Sequence, residues 1–393
     1  MMRCGWGIGV ACVLLAMMVR PVWGQNTLTS QEIAQGWLLL FDGETDFGWK
    51  ARGSAAWRVR DGMIESDRGD GMLATTTEFA DFELRAECWI DGQANSGIFL
   101  RAPAGDGEID PSRAYEVNIN DAHPQWPTGS VHSVARARRR VTAAGRWTRW
   151  VIRAEGDRLR VNVDGRPVLN ARDGRFRRGV IALQHFGSGT VRFRGIALRP
   201  LGLRSLFNGR DLTGWSVIPG RRSVFTVTPE GWLNVKDGGG EIQSTAQFGD
   251  FVLQLEIFVN GTHLNSGVFF RSNPGAFWQG YESQIRNQWQ GEDRSKPIDY
   301  GTGGLYNRQP ARRVVSSDRE WFTMTVIAHG LHFATWVNGV QVTDFVDTRP
   351  VDESNARNGA RTRAGVIGLQ GHDPTTDLSF RNIRAVEYPP SGL

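Results

Sequence analysis

Three short segments of the chain carry side chains suited to proton transfer and to holding polar ligands. In Tyr281-Glu282-Ser283-Gln284-Ile285 apolar and polar residues alternate. A strand there turns Tyr281 and Ile285 to one face and Glu282 and Gln284 to the other. In Asn265 to Arg271, the residues Asn265, Gly267, Phe269 and Arg271 share a face, and in Leu369-Gln370-Gly371-His372 the side chains of Gln370 and His372 point together, away from Leu369. If these are one face, a carboxylate, an imidazole, a guanidinium and an aromatic ring meet on it. Hydrogen-bonding groups beside a stacking surface make a groove suited to a carbohydrate. Asp299, ahead of Gly301-Thr302-Gly303, is either a second acid or a turn former. Trp278, Trp289 and Trp126 lie in loops near the Tyr-Glu strands, where indoles stack on sugars.

Each residue also has a plainer reading. Glu282 is then a solvated outward residue, Arg271 a structural ion-pair partner, and Phe269 and Phe99 packing residues. His372, followed by Asp373-Pro374, is then a brace for a turn. Recurrence favours a role for Glu282, because Glu116 occupies the same place in an internal repeat.

That repeat organises the chain. Leu40-Phe41-Asp42-Gly43 with Gly48-Trp49 recurs as Leu206-Phe207-Asn208-Gly209 with Gly214-Trp215. Asn95-Ser96-Gly97-Ile98-Phe99-Leu100-Arg101 recurs as Asn265-Ser266-Gly267-Val268-Phe269-Phe270-Arg271. Tyr115-Glu116 matches Tyr281-Glu282, Val163-Asp164-Gly165 matches Val337-Asn338-Gly339, and Phe193-Arg194 matches Phe380-Arg381. The order never breaks, and the period is far longer than a solenoid unit, so each copy is a whole domain. A chain of 393 residues exceeds the ~250–300 at which single cores stop growing. The division expected is 1–24 as a signal peptide, 25–200 as the first copy and 201–388 as the second.

Both copies read as all-β. Asp164-Gly165 and Asn338-Gly339 between apolar runs are two-residue hairpin signals. Helix is scarce; Thr29-Ser30-Gln31-Glu32 has capping-box spacing. Many short strands punctuated by Gly, Asn and Asp suggest jelly-roll-like sandwiches, and the short link near residues 199–203 implies that the two copies touch.

The copies differ where chemistry is expected. The first has Glu116 and Asn118 on the polar face of its Tyr-Glu strand. With Arg101 they are its candidate substrate-binding residues, but Phe186 stands where the second copy has His372. In the second copy Glu282, His372, Arg271 and Asp299 are the candidate catalytic residues, and Asn265, Gln284, Gln370, Trp278 and Trp289 the candidate substrate-binding ones.

The remaining features exclude several classes. Arg3 followed by an apolar run from about Ile8 to Val19 and Pro21-Val22-Trp23-Gly24 has the layout of a secretory signal. The protein is therefore expected to be exported, with no membrane segment after cleavage. Cys4 and Cys12 fall in that signal, which leaves Cys88 alone and no disulfide framework. The net charge is +5, and Arg136 to Arg140 is the densest basic run, without the further runs and interleaved exposed aromatics of a nucleic-acid patch, so no nucleic-acid partner is expected. There is no Walker loop, no His-Glu-x-x-His pair and no nucleophile elbow.

The Leu-Phe-Asp/Asn-Gly…Gly-Trp opening, Asn-Ser-Gly-x-Phe-x-Arg, Tyr-Glu-x-x-Ile, Thr-Gly and the closing Leu-Gln…Phe-Arg-Asn-Ile together resemble the 3-keto-disaccharide hydrolase domain family. The resemblance runs almost the length of the mature chain, once per copy. The second copy matches more fully, since the first has Gly195 where the second has Asn382. The resemblance implies two tandem concanavalin A-like β-sandwiches, in bacterial proteins exported to the periplasm or secreted outside the cell. It also implies 3-keto-glucoside 1,2-lyase and 3-keto-2-hydroxy-glucal hydratase activity, a net hydrolysis of an oxidised glycoside.

Such a reaction needs a base for the C2 proton, a stabiliser of the enolate and an acid for the leaving group. Glu282 or His372 is the expected base and Arg271 the expected stabiliser. Glu282, His372 and Asp299 are chemically suited to ligate a divalent metal ion, although no spacing establishes a site. Two other readings use the same face: a non-catalytic carbohydrate-binding protein, and a conventional two-carboxylate glycosidase, which needs a second carboxylate at a defined distance.

Overall fold

The computed structural model describes residues 26–390; the expected signal segment, with Cys4 and Cys12, lies outside the described residues. The chain folds as two β-sandwiches in sequence, each an eight-stranded sheet packed on a five-stranded one. A two-stranded ribbon, Trp289–Gln290 with Asp293–Pro297, is added to the second. The five-stranded sheets have the same order. In the first copy it is 49–53, 71–75, 180–185, 96–102, 115–119, and in the second it is 215–217, 240–248, 365–371, 266–272, 281–285. All pairings within these sheets are antiparallel.

Local chemistry accounts for the turns. Asp164-Gly165 and Asn338-Gly339 both have positive φ, the backbone of a type I′ turn, and close the hairpins 158–172 and 332–346. Thr29 caps the helix Ser30–Ala34 in a capping box with Glu32. Gly195 and Asn382, which differ between the copies, sit at the same bulge of the two eight-stranded sheets, both with positive φ. Gly and Asn are the residues that tolerate this conformation, so the exchange is conformational and lies away from the polar face.

Alternation places one row of each five-stranded sheet in the core. In the second copy Ile242, Val268, Phe270, Tyr281, Ile285, Ile367 and Leu369 pack against the larger sheet. The opposite row, with Glu241, Gly267, Glu282, Gln284, Gly368 and Gln370, faces outward over the sheet.

The two copies dock extensively. On the second copy's eight-stranded sheet Leu253, Val326 and Phe333 face its own core, whereas Val252, Ile327, Ala334 and Trp336 join the core cluster of the first copy. The Trp336 indole donates to Leu39 O at 3.0 Å, Leu39 N donates to Gly339 O at 2.7 Å, and Gln254 donates to Gly36 O at 3.0 Å. Polar groups extend the contact: Arg178 pairs with Asp250 at 2.6 Å and Arg312 with Asp42 at 2.7 Å. Cys88 is buried and unpaired. Among the described residues no helix is long and apolar enough to cross a membrane.

Candidate active site

The outward face of the second copy's five-stranded sheet holds a cavity of about 480 Å³. It is lined by Gly239, Asn265, Phe277, Trp278, Glu282, Gln284, Asp299, Tyr306, Gln370 and His372. Its floor is strand, and its walls are the loops that follow the strand ends. Gly267 is what allows a carboxylate to lie on that floor, since a Cβ there would stand 2.5 Å from Glu282 Oε1.

Glu282 is the buried charge of the site, with 4% of its surface exposed. Burial pushes its carboxyl up to about 7, against the pull of Arg357 and His372 and with a further push from the Asp299 charge. Arg357 Nη2 donates to Glu282 Oε2 at 2.9 Å, and its guanidinium stacks 3.6 Å from the Trp278 ring centroid. His372 is half-exposed. Its Nδ1 meets Asp373 Oδ2 at 2.9 Å. A carboxylate there favours the tautomer with hydrogen on Nδ1, which leaves Nε2 free to exchange protons with a ligand.

Asp299 accepts from Asn265 Nδ2 at 2.8 Å and from Gln284 Nε2 at 3.0 Å. It thereby fixes which end of each amide faces it. Asn265 Oδ1, Gln284 Oε1 and Gln370 Oε1 are left buried with no partner. Three orphaned acceptors around one cavity are costly in a folded protein unless a ligand supplies hydrogens. Hydroxyl groups of a sugar would do so.

The structure therefore brings Glu282, His372, Asp299, Asn265, Gln284, Gln370 and Trp278 to one cavity. Five expected residues lie elsewhere, among them Glu116, on the first copy's five-stranded sheet. Arg271 is fully buried and donates to the carbonyls of Gly249, Gly330 and Arg361 and to Asp250. Simple alternation failed because the strand bulges between Phe269 and Ser272, with Arg271 at φ 50°, which turns the side chain away from the Asn265 face. Arg101 repeats this arrangement in the first copy, at φ 53°, with the carbonyls of Ala80, Gly156 and Phe176 and with Asp81. Trp289 belongs to the two-stranded ribbon, where Arg294 stacks on it at 4.1 Å. Asn118 is buried and donates to Trp126 O, so it braces a loop.

Four contributors were missed. Arg357 and Tyr306 come from loops without periodicity, and Phe277 from the turn before the Tyr-Glu strand. Arg357 lies in the connection 347–364, whose counterpart in the first copy is only 173–179. Glu241 was legible: Glu241-Ile242-Gln243 alternates, and Glu241 pairs in register with Gln370. It is fully buried beneath the site, accepting from Gln243 Nε2 at 2.8 Å and Trp278 N at 3.2 Å. Burial pushes its carboxyl up to about 7. Among the described residues no group of three or more His, Cys, Asp or Glu side chains is placed to hold a metal ion. Glu282, His372 and Asp299 thus do not form the ligand set that the sequence suggested.

The fold and the face define a class: a tandem β-sandwich protein with a cavity lined by carboxyl, imidazole, amide and aromatic side chains on one outward sheet face. The chain belongs to the 3-keto-alpha-glucoside-1,2-lyase-like domain family, whose profile matches residues 36–199 and again 202–385. A 3-keto-disaccharide hydrolase of Bacteroides thetaiotaomicron is 32% identical over 120 residues, which is 24% of this chain and 41% of that protein. Two solved structures are similar. One, from Parabacteroides distasonis and described only provisionally as a glycosyl hydrolase, is 20% identical, with a TM-score of 0.42 over 45% of this chain and 99% of the other. The other is the carbohydrate-binding module CBM66 of Bacillus subtilis, 20% identical, with a TM-score of 0.31 over 39% of this chain and 95% of the module.

Proposed function

We propose that the second copy cleaves 3-keto-glucosides by elimination and hydration, in an exported protein. The observation that carries this reading is Glu282: a buried carboxyl pushed up to about 7, held against Arg357 and close enough to His372 to feel its charge. A 3-keto group acidifies the C2 hydrogen, because the carbanion delocalises into an enolate. Glu282 takes that proton. Arg357 has hydrogens to offer the developing O3 charge, the part first expected of Arg271. His372, in its doubly protonated form with Nδ1–H held by Asp373, gives its Nε2 proton to the glycosidic oxygen as the C1–O bond breaks. Water then adds across the C1–C2 double bond, with oxygen to C1 and a proton returned to C2, to give 3-keto-glucose. The orphaned oxygens of Asn265, Gln284 and Gln370 suit the remaining ring hydroxyls.

General acid–base groups contribute typically ~10²–10⁴-fold. Glu282→Gln and His372→Ala should each lower the rate on a 3-keto-glucoside by an amount in that range. Near wild-type rates in both variants would remove these roles. A conventional two-carboxylate glycosidase has less support, because Asp299, the second carboxylate lining the cavity, is held by the amides of Asn265 and Gln284, and Glu241 is fully buried beneath Trp278.

A further inference from the structure

The first copy also has a cavity on its outward sheet face, about 490 Å³, bordered by Phe186, Gln184, Met72 and the loop carrying Asp106. Its chemistry departs from that of the second copy at three positions. Phe186 replaces His372 and presents an exposed ring, 52% accessible. Met72 pairs with Gln184 where Glu241 pairs with Gln370. The connection 173–179 is too short to supply a counterpart of Arg357.

What survives is a pair of oxygens, one from Gln184, which lines the cavity, and one from Glu116, which adjoins Gln184 at the cavity's edge without lining it. Glu116 is only 6% exposed, yet among the described residues its carboxyl has no hydrogen-bond or ion-pair partner. Gln184 Oε1 is buried and also unpartnered. The two converge over Gly97, where a Cβ would stand 3.0 Å from Glu116 Oε1 and 3.4 Å from Gln184 Oε1. The site thus retains a cradle and two acceptors but has lost the acid–base partners and the cation.

We propose that the first copy's outward face is a non-catalytic glycoside-binding site that takes a fully hydroxylated sugar ring in preference to a 3-keto one. Gln184 Oε1, buried without a partner, needs a ligand with hydrogens to give, and the Glu116 carboxylate, once ionised, accepts beside it. A ring hydroxyl has one and a ketone oxygen has none. The exposed Phe186 ring offers an apolar surface to the C–H face of a pyranose. On the second face Arg357 offers hydrogens, which a ketone or enolate oxygen accepts, so the two faces have opposite preferences. The inference goes beyond the reading of the second face and borrows from it only the choice of probe.

The test is calorimetry on the full chain carrying Glu282→Gln, titrated at pH 8 with methyl α-D-glucopyranoside and with its 3-keto derivative, with and without Phe186→Ala. The hydroxylated probe should bind, and adding Phe186→Ala should weaken it by about tenfold or more. Phe186 is exposed, so this variant should keep its thermal unfolding midpoint and, alone in the wild-type background, its turnover of a 3-keto-glucoside. No binding of the hydroxylated probe, or binding indifferent to Phe186→Ala, overturns the inference. So does a first-face preference for the 3-keto probe. Absence of 3-keto turnover in the wild-type chain would defeat the reading of the second face and leave the calorimetric result standing.

Discussion

Arg357 donates to the Glu282 carboxylate at 2.9 Å while lying flat on Trp278, so one side chain ties a loop, an aromatic wall and the buried acid together. Arg271, which recurs in position between the two repeats, spends its guanidinium on three carbonyls and Asp250. The two arginines should therefore fail differently. Arg357→Ala should lower kcat on a 3-keto-glucoside while leaving the fold intact. It should also move the acid limb of the pH profile upward, because it removes the cation that pulls the Glu282 proton off. Arg271→Ala should cost roughly 3–5 kcal/mol of stability, since it leaves three carbonyls without their donor and empties a fully buried site, although Asp250 keeps Arg178. Denaturation curves and pH–rate profiles separate the two outcomes.

The rate itself should depend on pH. If Glu282 is the base, kcat/KM rises as its proton leaves, through a pH of about 7. Glu282→Gln should abolish that limb; a limb that survives in the residual activity assigns the titration to another group.

Glu116 makes a stability prediction. Burial pushes its carboxyl up to about 7 from the usual 4.5. Between those two values the folded state holds a proton that the unfolded state has released. This group therefore makes stability fall as pH rises from about 4.5 to 7, by at most ~1.4 kcal/mol for each pH unit crossed. Glu116→Gln should stabilise the protein at pH 8 and change it little at pH 4.5, as read by denaturant midpoints at the two pH values.

Gly267→Ala should act on the site rather than on the sheet. The added methyl meets Glu282 Oε1 at 2.5 Å and can be accommodated only by displacing the carboxylate. Activity should drop on the order of 10²-fold, the loss expected when a catalytic group is misplaced by about 1 Å. Gly275→Ala would serve poorly as a control, because its φ of +75° brings strain of its own.

Acid should loosen the docking of the two copies. His329 Nε2 accepts from Glu78 N at 3.1 Å across the contact, and burial holds its imidazole well below the usual value, helped by His332, Arg178 and Arg271. The unfolded chain protonates first, so His329 makes stability fall as pH drops below about 6.5. His329→Gln should flatten the acid side of a thermal-midpoint-versus-pH curve; an unchanged slope would assign it to other groups.

The sequence by itself determined the repeat, the sandwich class and most of the cavity floor. Strand alternation is a property of neighbouring residues, and it fixed that Glu282 and Gln284, and likewise Gln370 and His372, point together. It would have yielded Glu241 too. It misassigned Arg271, because a bulge with positive φ breaks the alternation and is invisible in residue spacing. Arg357 was out of reach for another reason. It sits 75 positions from Glu282 in a loop without periodicity, and only the closing of the 347–364 connection over the sheet brings it there. The strands set the directions of side chains locally. Which guanidinium meets the buried carboxylate was decided by long-range packing: the longer connection of the second copy brings a cation to Glu282, whereas Glu116 at the same repeat position is buried without one, its carboxyl pushed up to about 7 by burial alone.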